Sequence, residues 1–370
     1  MGDTSGLQIL STLGEDGRLT VELAERILHE PAGHEVLVRV EAAPINPSDL
    51  GLLFGPADVE NAEYGDGRLV AVMPDAARRA MQARVGQPMP VGNEGAGTVV
   101  AAGDAPEAQA LLGKKVTCVP GAMFAQYAMA DARACLPLPD GATAEQGAAA
   151  FVNPLTALGF VETMRRDGHS AIVHTAAASN LGQMLLRICQ EDGVPLVNIV
   201  RNSAQVELLK GLGAEYVLDS TSPDYSVELN SALKATGATL AFDPIGGGKQ
   251  LSQILAAMEQ VASEGAPYNR YGSDTFKQAY IYGSLDLGPT VINRSFGFNW
   301  QLGGWLLFPF MTRVGPEVMA ALRQRVMDNL TTTFASHYST RISLKDALTK
   351  DAVLTYNARR TGEKYLLIPN

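Results

Sequence analysis

The feature that most constrains this chain is the stretch 171–190, which reads AIVHTAAASNLGQMLLRICQ. Its first four residues form a short apolar run, which is typical of a buried parallel strand. From Leu181 onward the apolar residues recur three or four positions apart, as on one face of a helix. The turn between them contains mostly small residues and ends at Gly182. This order predicts the first unit of a dinucleotide-binding fold, in which a pyrophosphate lies at the helix N-terminus.

The turn departs from the glycine fingerprint of such units, because only Gly182 stands where the last of three glycines is expected. Ala177, Ser179 and Asn180 occupy the earlier positions. Ala and Ser leave room for a phosphate, and the side chains of Ser and Asn can donate hydrogen bonds to it. Asn also tolerates left-handed backbone angles. An ordinary helix cap without a ligand explains the same residues, so the turn alone leaves both interpretations open.

The next predicted strand favours a cofactor. Residues 196–200 form a second apolar run, which ends at Arg201, 19 residues after Gly182. Chains that bind NAD place Asp or Glu at about this distance to hold the ribose 2′-hydroxyl. A guanidinium would instead hold a 2′-phosphate, and Asn202 and Ser203 add donors beside it. The sequence therefore predicts NADPH as the cofactor, with stacking of Arg201 on the adenine as the competing interpretation.

Strand and helix patterns alternate through this half of the chain. Further strands are predicted at 216–218, 239–242 and 279–282, with helical patterns between them. This alternation predicts a doubly wound parallel sheet, whose ligand lies at the carboxyl ends of the strands.

The first 140 residues have a different pattern. Short strands separated by Gly and Pro predict a small barrel-like β domain, with strands at 36–40, 97–101 and 115–119. Near the other end, a helix is predicted at 317–330, and we expect a last strand within 365–369 to return to the first domain.

Composition limits the function classes. The 370 residues suit two domains, and a net charge of −10 argues against a nucleic-acid partner or an anionic membrane surface. The three cysteines lie far apart in the sequence, so neither a zinc lobe nor a disulfide framework is expected, and a cytoplasmic location fits. The most apolar stretch, 296–310, is too short to span a bilayer. We expect a buried strand or a subunit interface there, and pairing of edge strands would give a homodimer.

Several segments resemble the medium-chain dehydrogenase/reductase superfamily, and the similarity extends over nearly all of the chain. They are 42–49 (AAPINPSD), 91–97 (VGNEGAG), 121–127 (GAMFAQY), 136–141 (LPLPDG), 152–157 (VNPLTA), 174–182, 212–217 (LGAEYV) and 360–369 (RTGEKYLLIP). The chain is most similar to the quinone oxidoreductases and the 2-enoyl thioester reductases. The resemblance implies an α/β protein with a Rossmann-type doubly wound parallel sheet and a GroES-like β-barrel catalytic domain. It places the catalytic domain at 1–140, the NADPH-binding domain at 141–305, and a returning C-terminal segment at 306–370.

Two departures from these relatives bear on the chemistry. Zinc-dependent relatives have His where this chain has Asn93, and Cys on the loop that here reads INP, so no catalytic zinc is expected. Enoyl reductases resembling this chain carry a proton-donating Tyr where Ala57 stands. Tyr64, in the long segment 56–91, could substitute, although the position favours an exposed loop tyrosine. His174 is expected to be a buried core histidine.

The resemblance also implies a set of site residues. Asn46 and Asp49 would lie beside the nicotinamide and Thr156 near its ribose or carboxamide, although turn capping also explains Asn46 and Asp49. These three are the candidate catalytic residues, with Tyr64 as a further candidate. The cofactor-binding candidates are Asn46, Thr156, Ala177, Ser179, Asn180, Leu181, Arg201, Asn202, Asp243, Ile245, Gly246, Tyr282, Gly283, Ser284 and Arg359.

The resulting hypothesis is an NADPH-dependent oxidoreductase that transfers hydride to a quinone without a metal. The alternative is an NADPH-dependent reductase of activated C=C bonds in enones or 2-enoyl thioesters. A third hypothesis, from another class, is a protein that binds or senses NADPH without turnover.

Overall fold

The computed structural model describes residues 4–370, which divide into two units. Unit 1 comprises the described residues up to Val152 together with Arg325–Asn370, and unit 2 is Asn153–Gln324. The units thus divide near 152 and 324, in place of the boundaries at 140 and 305 that the sequence suggested. Residues 141–152 belong to unit 1 because the helix 144–147 packs on strands of that unit. Residues 306–324 belong to unit 2, and the residue before them, Trp305, donates a hydrogen bond to Thr163 of the same unit, with 3.0 Å between Nε1 and Oγ1.

Eighteen strands are described in residues 4–370. In chain order they are β1 Thr4–Leu13, β2 Arg18–Leu28, β3 Glu35–Pro44, β4 Glu63–Gly65, β5 Arg68–Val72, β6 Met89–Pro90, β7 Gly95–Ala102, β8 Lys115–Cys118, β9 Tyr127–Asp131, β10 Leu136–Pro137, β11 Ile172–Thr175, β12 Leu196–Val200, β13 Tyr216–Asp219, β14 Leu240–Asp243, β15 Lys277–Ile281, β16 Trp300–Gly304, β17 Thr340–Ile342 and β18 Tyr365–Leu367.

The α-helices of the same residues are α1 Pro47–Leu53, α2 Asp75–Ala80, α3 Pro106–Gln109, α4 Ala144–Gly147, α5 Val152–Arg166, α6 Asn180–Asp192, α7 Ser203–Gly211, α8 Tyr225–Thr236, α9 Gln250–Ser263, α10 Leu307–Asp328 and α11 Lys350–Asn357. The helix predicted at 317–330 is the second part of α10, which bends at Gly315. None of the described helices is both long enough and apolar enough to cross a bilayer.

Unit 1 is built on two sheets. One has the strand order β4-β5-β2-β1-β6, and the other runs β10-β8-β7-β3-β18-β17, with β9 also paired to β3. The long segment 56–91 supplies β4, β5, α2 and β6 and buries Leu69, Ala71 and Met73 in the core of this unit. It is therefore an integral part of the fold of unit 1.

The C-terminal strand returns to the first domain, as predicted. β18 pairs antiparallel with β3 and parallel with β17, and it buries Leu366 and Leu367 completely. Just beyond β3, the backbone N–H of Ile45 donates to the carbonyl of Tyr365 over 3.0 Å. The end of the chain thus fixes the loop that leads into α1.

Unit 2 contains the predicted doubly wound sheet. Its strand order is β13-β12-β11-β14-β15-β16, and every neighbouring pair is parallel. β12 matches the predicted strand residue for residue, and the other predicted strands differ by one or two residues at their ends. The order reverses direction between β11 and β14, which is where such sheets form a ligand crevice at their carboxyl ends.

Gly182 determines how closely α6 approaches the end of β11. Ser179 caps this helix, with its Oγ accepting from the N–H of Gly182 over 3.1 Å. A Cβ at position 182 would lie 2.1 Å from the carbonyl oxygen of Ala177, far inside van der Waals contact. Only glycine fits there, which is the packing role of the last glycine in the fingerprint.

We predict that Gly182→Ala destabilises the protein by about 1–3 kcal/mol, because the backbone must move to admit the methyl group. Gly211→Ala is the matched control, since Gly211 lies in α7 with no atom within 4 Å of the added Cβ. There the substitution should stabilise by about 0.4–1 kcal/mol. Urea unfolding of both variants measures the two effects, and a neutral Gly182→Ala would contradict the packing argument.

Candidate functional site

The candidate cofactor residues of unit 2 lie together at the carboxyl edge of the parallel sheet. They follow four strands, β11, β12, β14 and β15, whose ends are brought side by side by the parallel pairing. The structure places there Ala177, Ser179, Asn180, Leu181, Arg201, Asn202, Asp243, Ile245, Gly246, Tyr282, Gly283 and Ser284. Thr156 lies in the same unit on α5 and is buried.

Asp243 ties the ends of the first and fourth strands together. Its carboxylate accepts from the hydroxyl of Thr175 and from the backbone N–H groups of Ile245 and Gly246, at 3.2 and 2.9 Å. Burial raises the pKa of Asp243, and these three hydrogen bonds oppose the rise. Its carboxylate oxygens therefore hold the loop after β14 in shape.

The loops after β14 and β15 also touch. A Cβ on Gly283 would lie 2.7 Å from the carbonyl oxygen of Pro244, and one on Gly246 would lie 3.0 Å from that of Gly283. Beneath them the hydroxyl of Tyr282 lies 2.7 Å from Nε2 of His174. His174 is fully buried, as expected, and burial lowers its pKa to about 3, so the ring is neutral at pH 7. These contacts hold the ends of β14 and β15 rigidly beside the turn that follows β11.

Arg201 follows β12 and is exposed. Its backbone N–H donates to Gln205, while Asn202 caps α7 by accepting from the N–H of Gln205 at 3.0 Å. Within the described range 4–370, the Arg201 guanidinium has neither an ion-pair nor a hydrogen-bond partner. A positive charge at the end of the second strand is therefore available to an anion.

The turn between β11 and α6 holds one residue in a left-handed conformation. That residue is Ala176, with φ of 48°, whereas Asn180 is the first helical residue of α6. Arg359, a cofactor candidate on the loop after α11 in unit 1, is the other non-glycine residue with positive φ among residues 4–370. Such backbone strain clusters at functional sites.

Asn46 and Asp49 are buried at the start of α1 in unit 1. The two oxygens of Asp49 accept from the backbone N–H groups of Asn46 and Asn93, each over 2.7 Å. Burial raises the pKa of Asp49 to about 7, against the effect of these two hydrogen bonds. Asp49 therefore fixes the loop before α1, as the capping interpretation predicts, and it titrates near neutral pH.

Glu94 is a central residue of this cluster that sequence reasoning missed. It is completely buried, and one oxygen accepts from Nδ2 of Asn46 at 2.8 Å. The other oxygen accepts from the N–H groups of Phe151 and Val152, at 3.1 and 2.9 Å, where α5 begins. Burial raises the pKa of Glu94, and these donors oppose the rise. The sequence indicates this role only through the position of Glu94, which is the one acidic residue within the glycine-rich motif 91–97.

Tyr64 does not lie on an exposed loop. It is half-buried on β4, and its hydroxyl donates to the carbonyl of Val59 over 2.6 Å. The hydroxyl is therefore already engaged within unit 1. Among residues 4–370 no three His, Cys, Asp or Glu side chains form a group that could hold a metal ion. That the protein works without zinc stays a prediction.

We predict that Glu94→Ala lowers the free energy of unfolding by at least about 3 kcal/mol, because two buried donors and one part-buried donor lose their acceptor, at about 1–3 kcal/mol each. Glu107→Ala is the control in the same unit, since Glu107 makes only an exposed ion pair with His34. Its loss should cost less than about 1 kcal/mol. Chemical unfolding distinguishes the two, and equal effects would mean that Glu94 is not the support inferred here.

A family model supports the first domain. Residues 32–140 match the alcohol dehydrogenase GroES-like domain. Among curated proteins, the mitochondrial enoyl-[acyl-carrier-protein] reductase of Rattus norvegicus is 29% identical over 218 residues. That match includes 55% of this chain and 50% of the reductase, so the chain spans about half the length of this relative.

Solved structures match almost the whole chain. A protein assigned as an NADPH:quinone reductase from Mesorhizobium loti has a TM-score of 0.75 and 26% identity, with 99% of this chain and 98% of that chain covered. A mycobacterial protein solved with NADPH has a TM-score of 0.70 at 20% identity, with 99% and 100% covered, and supports the fold alone. Together with the motifs and the folds of the two units, these matches support the resemblance to the medium-chain dehydrogenase/reductase superfamily, in the branch of the quinone oxidoreductases and enoyl reductases.

Proposed function

We propose that this protein is an NADPH-dependent oxidoreductase that transfers hydride to a quinone without a metal. The observation that carries the proposal is the carboxyl edge of unit 2. There a tight turn at a helix N-terminus and an unpartnered arginine follow adjacent parallel strands, β11 and β12. Helix N-termini favour phosphate groups, and a guanidinium fork favours a second phosphate.

The residues present fit the cofactor. The small residues 177–179 leave the start of α6 accessible, and Gly182 allows the close packing that the turn needs. Leu181 and Ser179 would line the pyrophosphate, and Arg201 would hold the 2′-phosphate. The loops 243–246 and 282–284, which Asp243 holds in shape, would line the rest of the cofactor. The solved mycobacterial neighbour binds NADPH on the same fold.

When bound, NADPH would supply the hydride and the electron pair for reduction. The residues of this chain then have to orient the acceptor and stabilise the negative charge that develops on it. The buried amide of Asn46 donates from Nδ2 to Glu94, so that its Oδ1, which lacks a hydrogen-bond partner among the described residues, can accept a hydrogen bond from a donor of a bound molecule. Quinones suit such a site because their conjugation spreads the charge.

The second candidate function is reduction of an activated C=C bond. The curated relatives that are mitochondrial enoyl-[acyl-carrier-protein] reductases favour it, at 29% identity for the rat protein. Against it stands Ala57, at the position where the enoyl-reductase pattern expects a tyrosine. Unlike the quinone, an enoyl thioester requires that a proton be delivered to carbon.

NADPH oxidation, followed with a panel of quinones and a panel of enones and enoyl thioesters, separates these functions. Turnover with quinones supports the main proposal, and turnover restricted to conjugated C=C substrates supports the second. Binding of NADPH in calorimetry without turnover on either panel would identify a protein that binds or senses the cofactor.

The Arg201 assignment predicts a cofactor preference. A bidentate arginine–phosphate contact contributes about 1.5–3 kcal/mol. The protein should therefore prefer NADPH over NADH by at least about tenfold in kcat/KM. Arg201→Ala should remove most of this preference and leave NADH activity nearly unchanged, because NADH has no 2′-phosphate.

Lys210→Ala is the control for a general loss of positive charge, since Lys210 is an exposed cation on the following helix, α7. It should leave the preference intact. If Arg201→Ala lowered kcat/KM to the same extent with NADPH and with NADH, the guanidinium would stack on the adenine instead of binding the 2′-phosphate.

We further propose a homodimer formed through the edge of the sheet in unit 2. β16 pairs only with β15 among the described strands, and apolar residues beside it are exposed, including Phe298 at 76% and Leu306 at 63%. An unpaired strand edge with exposed apolar side chains favours pairing with a second copy.

Light scattering at micromolar concentration should therefore give the mass of a dimer, and Leu306→Asp should shift it toward the monomer. Val227→Asp is the control, because Val227 is comparably exposed, at 68%, on α8 and not beside β16. A monomeric wild-type protein, or equal effects of the two substitutions, would rule out this interface.

A further inference from the structure

Two of the three cysteines lie opposite each other on neighbouring strands of unit 1. Cys118 is the last residue of β8, and Cys135 directly precedes β10 with extended backbone angles. The two strands pair antiparallel, with Leu136 opposite Thr117. One step further along the same register, Cys135 lies opposite Cys118. The sheet thus brings together two cysteines that are well separated in the sequence.

The hydrogen bonds of this ladder determine how closely the two cysteines approach. The N–H of Leu138 donates to the carbonyl of Lys115, the residue opposite it, over 2.9 Å. Hydrogen-bonded and non-hydrogen-bonded pairs alternate along an antiparallel ladder, so the cysteines, three steps away, form a non-hydrogen-bonded pair. Opposite residues of this kind have Cα atoms about 4.5 Å apart and side chains on the same face. A disulfide spans Cα separations of about 4.4–6.8 Å, so the register places this pair within reach of one.

The two thiols also interact inside the core of unit 1. Both are free thiols on buried residues, and Sγ of Cys118 lies 3.8 Å from Sδ of Met123. A hydrogen bond with the Cys135 thiol, together with burial, raises the pKa of the Cys118 thiol well above its ordinary value. Cys118 is fully buried, whereas 6% of Cys135 is exposed. Cys135 is therefore the sulfur that a small oxidant reaches first.

Packing alone makes a different demand of these positions. A buried cysteine can serve as a small apolar residue, and such a thiol is inert. That role requires only the right volume at each position, and it does not require two thiols in register with each other. A facing pair with one partly exposed member is instead the arrangement in which the second thiol can resolve an oxidised first one.

We propose that Cys118 and Cys135 are a redox pair that hydrogen peroxide converts reversibly into a cross-strand disulfide. This inference is independent of the proposed function. The Cys135 sulfur attacks the peroxide, an S–O bond forms as the O–O bond breaks, and the thiol proton leaves with the departing oxygen as water. The Cys118 sulfur then attacks the resulting sulfenic acid, the S–S bond forms as the S–O bond breaks, and the Cys118 proton leaves with the hydroxide as a second water. Two thiols are oxidised and one peroxide is reduced.

The pair lies next to the support of the candidate site in unit 1. β8 also pairs with β7, where Cys118 lies opposite Gly95, the residue after Glu94. The disulfide would close residues 118–135, which include β9, into a covalent loop. Closing such a loop restricts the unfolded chain, so we expect the oxidised protein to melt at a higher temperature.

Peptide mapping of the full-length protein tests the proposal. The protein is reduced with dithiothreitol, desalted and treated with hydrogen peroxide under native conditions, and the remaining thiols are then blocked with iodoacetamide in denaturant. Trypsin cuts after Arg133, between the two cysteines, so the disulfide would join peptides 116–133 and 134–165. Before blocking, the oxidised chain should be about 2 Da lighter, because two hydrogen atoms are lost. Only Cys189 should then be blocked, and dithiothreitol should restore the other two thiols.

Cys189→Ser is the matched control, because Cys189 lies on α6 of unit 2 and takes no part in the proposed bond. Peroxide should still link the two peptides in this variant, and Cys135→Ser should abolish the link. If the native protein kept all its thiols, or gained oxygen atoms at one cysteine without a link, the proposal would be overturned. A link that formed only in protein oxidised in guanidinium would overturn it equally.

Thermal unfolding provides a second readout. The oxidised protein should melt several degrees above the reduced protein, and Cys189→Ser should show the same increase. A lower melting temperature after oxidation would mean that the native register does not accommodate the bond, and it would contradict the proposal. Neither readout involves NADPH or an acceptor, so failure of the proposed function is distinguished from failure of the redox pair.

Discussion

A single buried carboxylate, that of Glu94, supports the arrangement of the candidate site in unit 1. It accepts from the amide of Asn46 with one oxygen and from the first N–H groups of α5 with the other. A helix N-terminus is one of the few places where a buried negative charge is stabilised by the backbone itself. Burial is the main cause that raises the pKa of Asp49, and the nearby Glu94 carboxyl adds to this rise. Both carboxyl groups favour the charged form of Lys364, against the effect of its burial.

In unit 2 the turn between β11 and α6 is tight although it has only one of the three glycines of the dinucleotide-binding fingerprint. The chain keeps glycine only at position 182, where a Cβ would overlap the Ala177 carbonyl. At the earlier positions of the fingerprint the chain has small side chains instead. One residue of the turn, Ala176, adopts a left-handed conformation, which is strained for a residue with a Cβ. The strand ends around the turn are tied by Asp243, so the strained residue is held by a rigid frame. A weak fingerprint in sequence is therefore compatible with a well-formed turn.

Local patterns predicted the fold of unit 2 well, because strand, turn and helix there lie within a few residues of one another. β12 was predicted to the residue, and the parallel order follows from the alternation. The role of the segment 56–91 could not be predicted, since β5 joins the sheet by pairing with β2, far away in the sequence, and β4 joins it by pairing with β5. The same holds for Glu94 and Lys364. Their importance depends on burial and on contacts between residues separated by scores to hundreds of positions.

Tyr64 does not take the place of the tyrosine that the enoyl-reductase pattern expects at Ala57. Its hydroxyl already donates to the carbonyl of Val59, and burial raises its pKa, so it is a weaker acid than a free tyrosine. The buried lysine of unit 1 behaves in the opposite way, because burial lowers the pKa of Lys364 to about 8 while the carboxyl groups of Glu94 and Asp49 oppose this decrease. The charge states of these three buried groups of unit 1 therefore depend on one another.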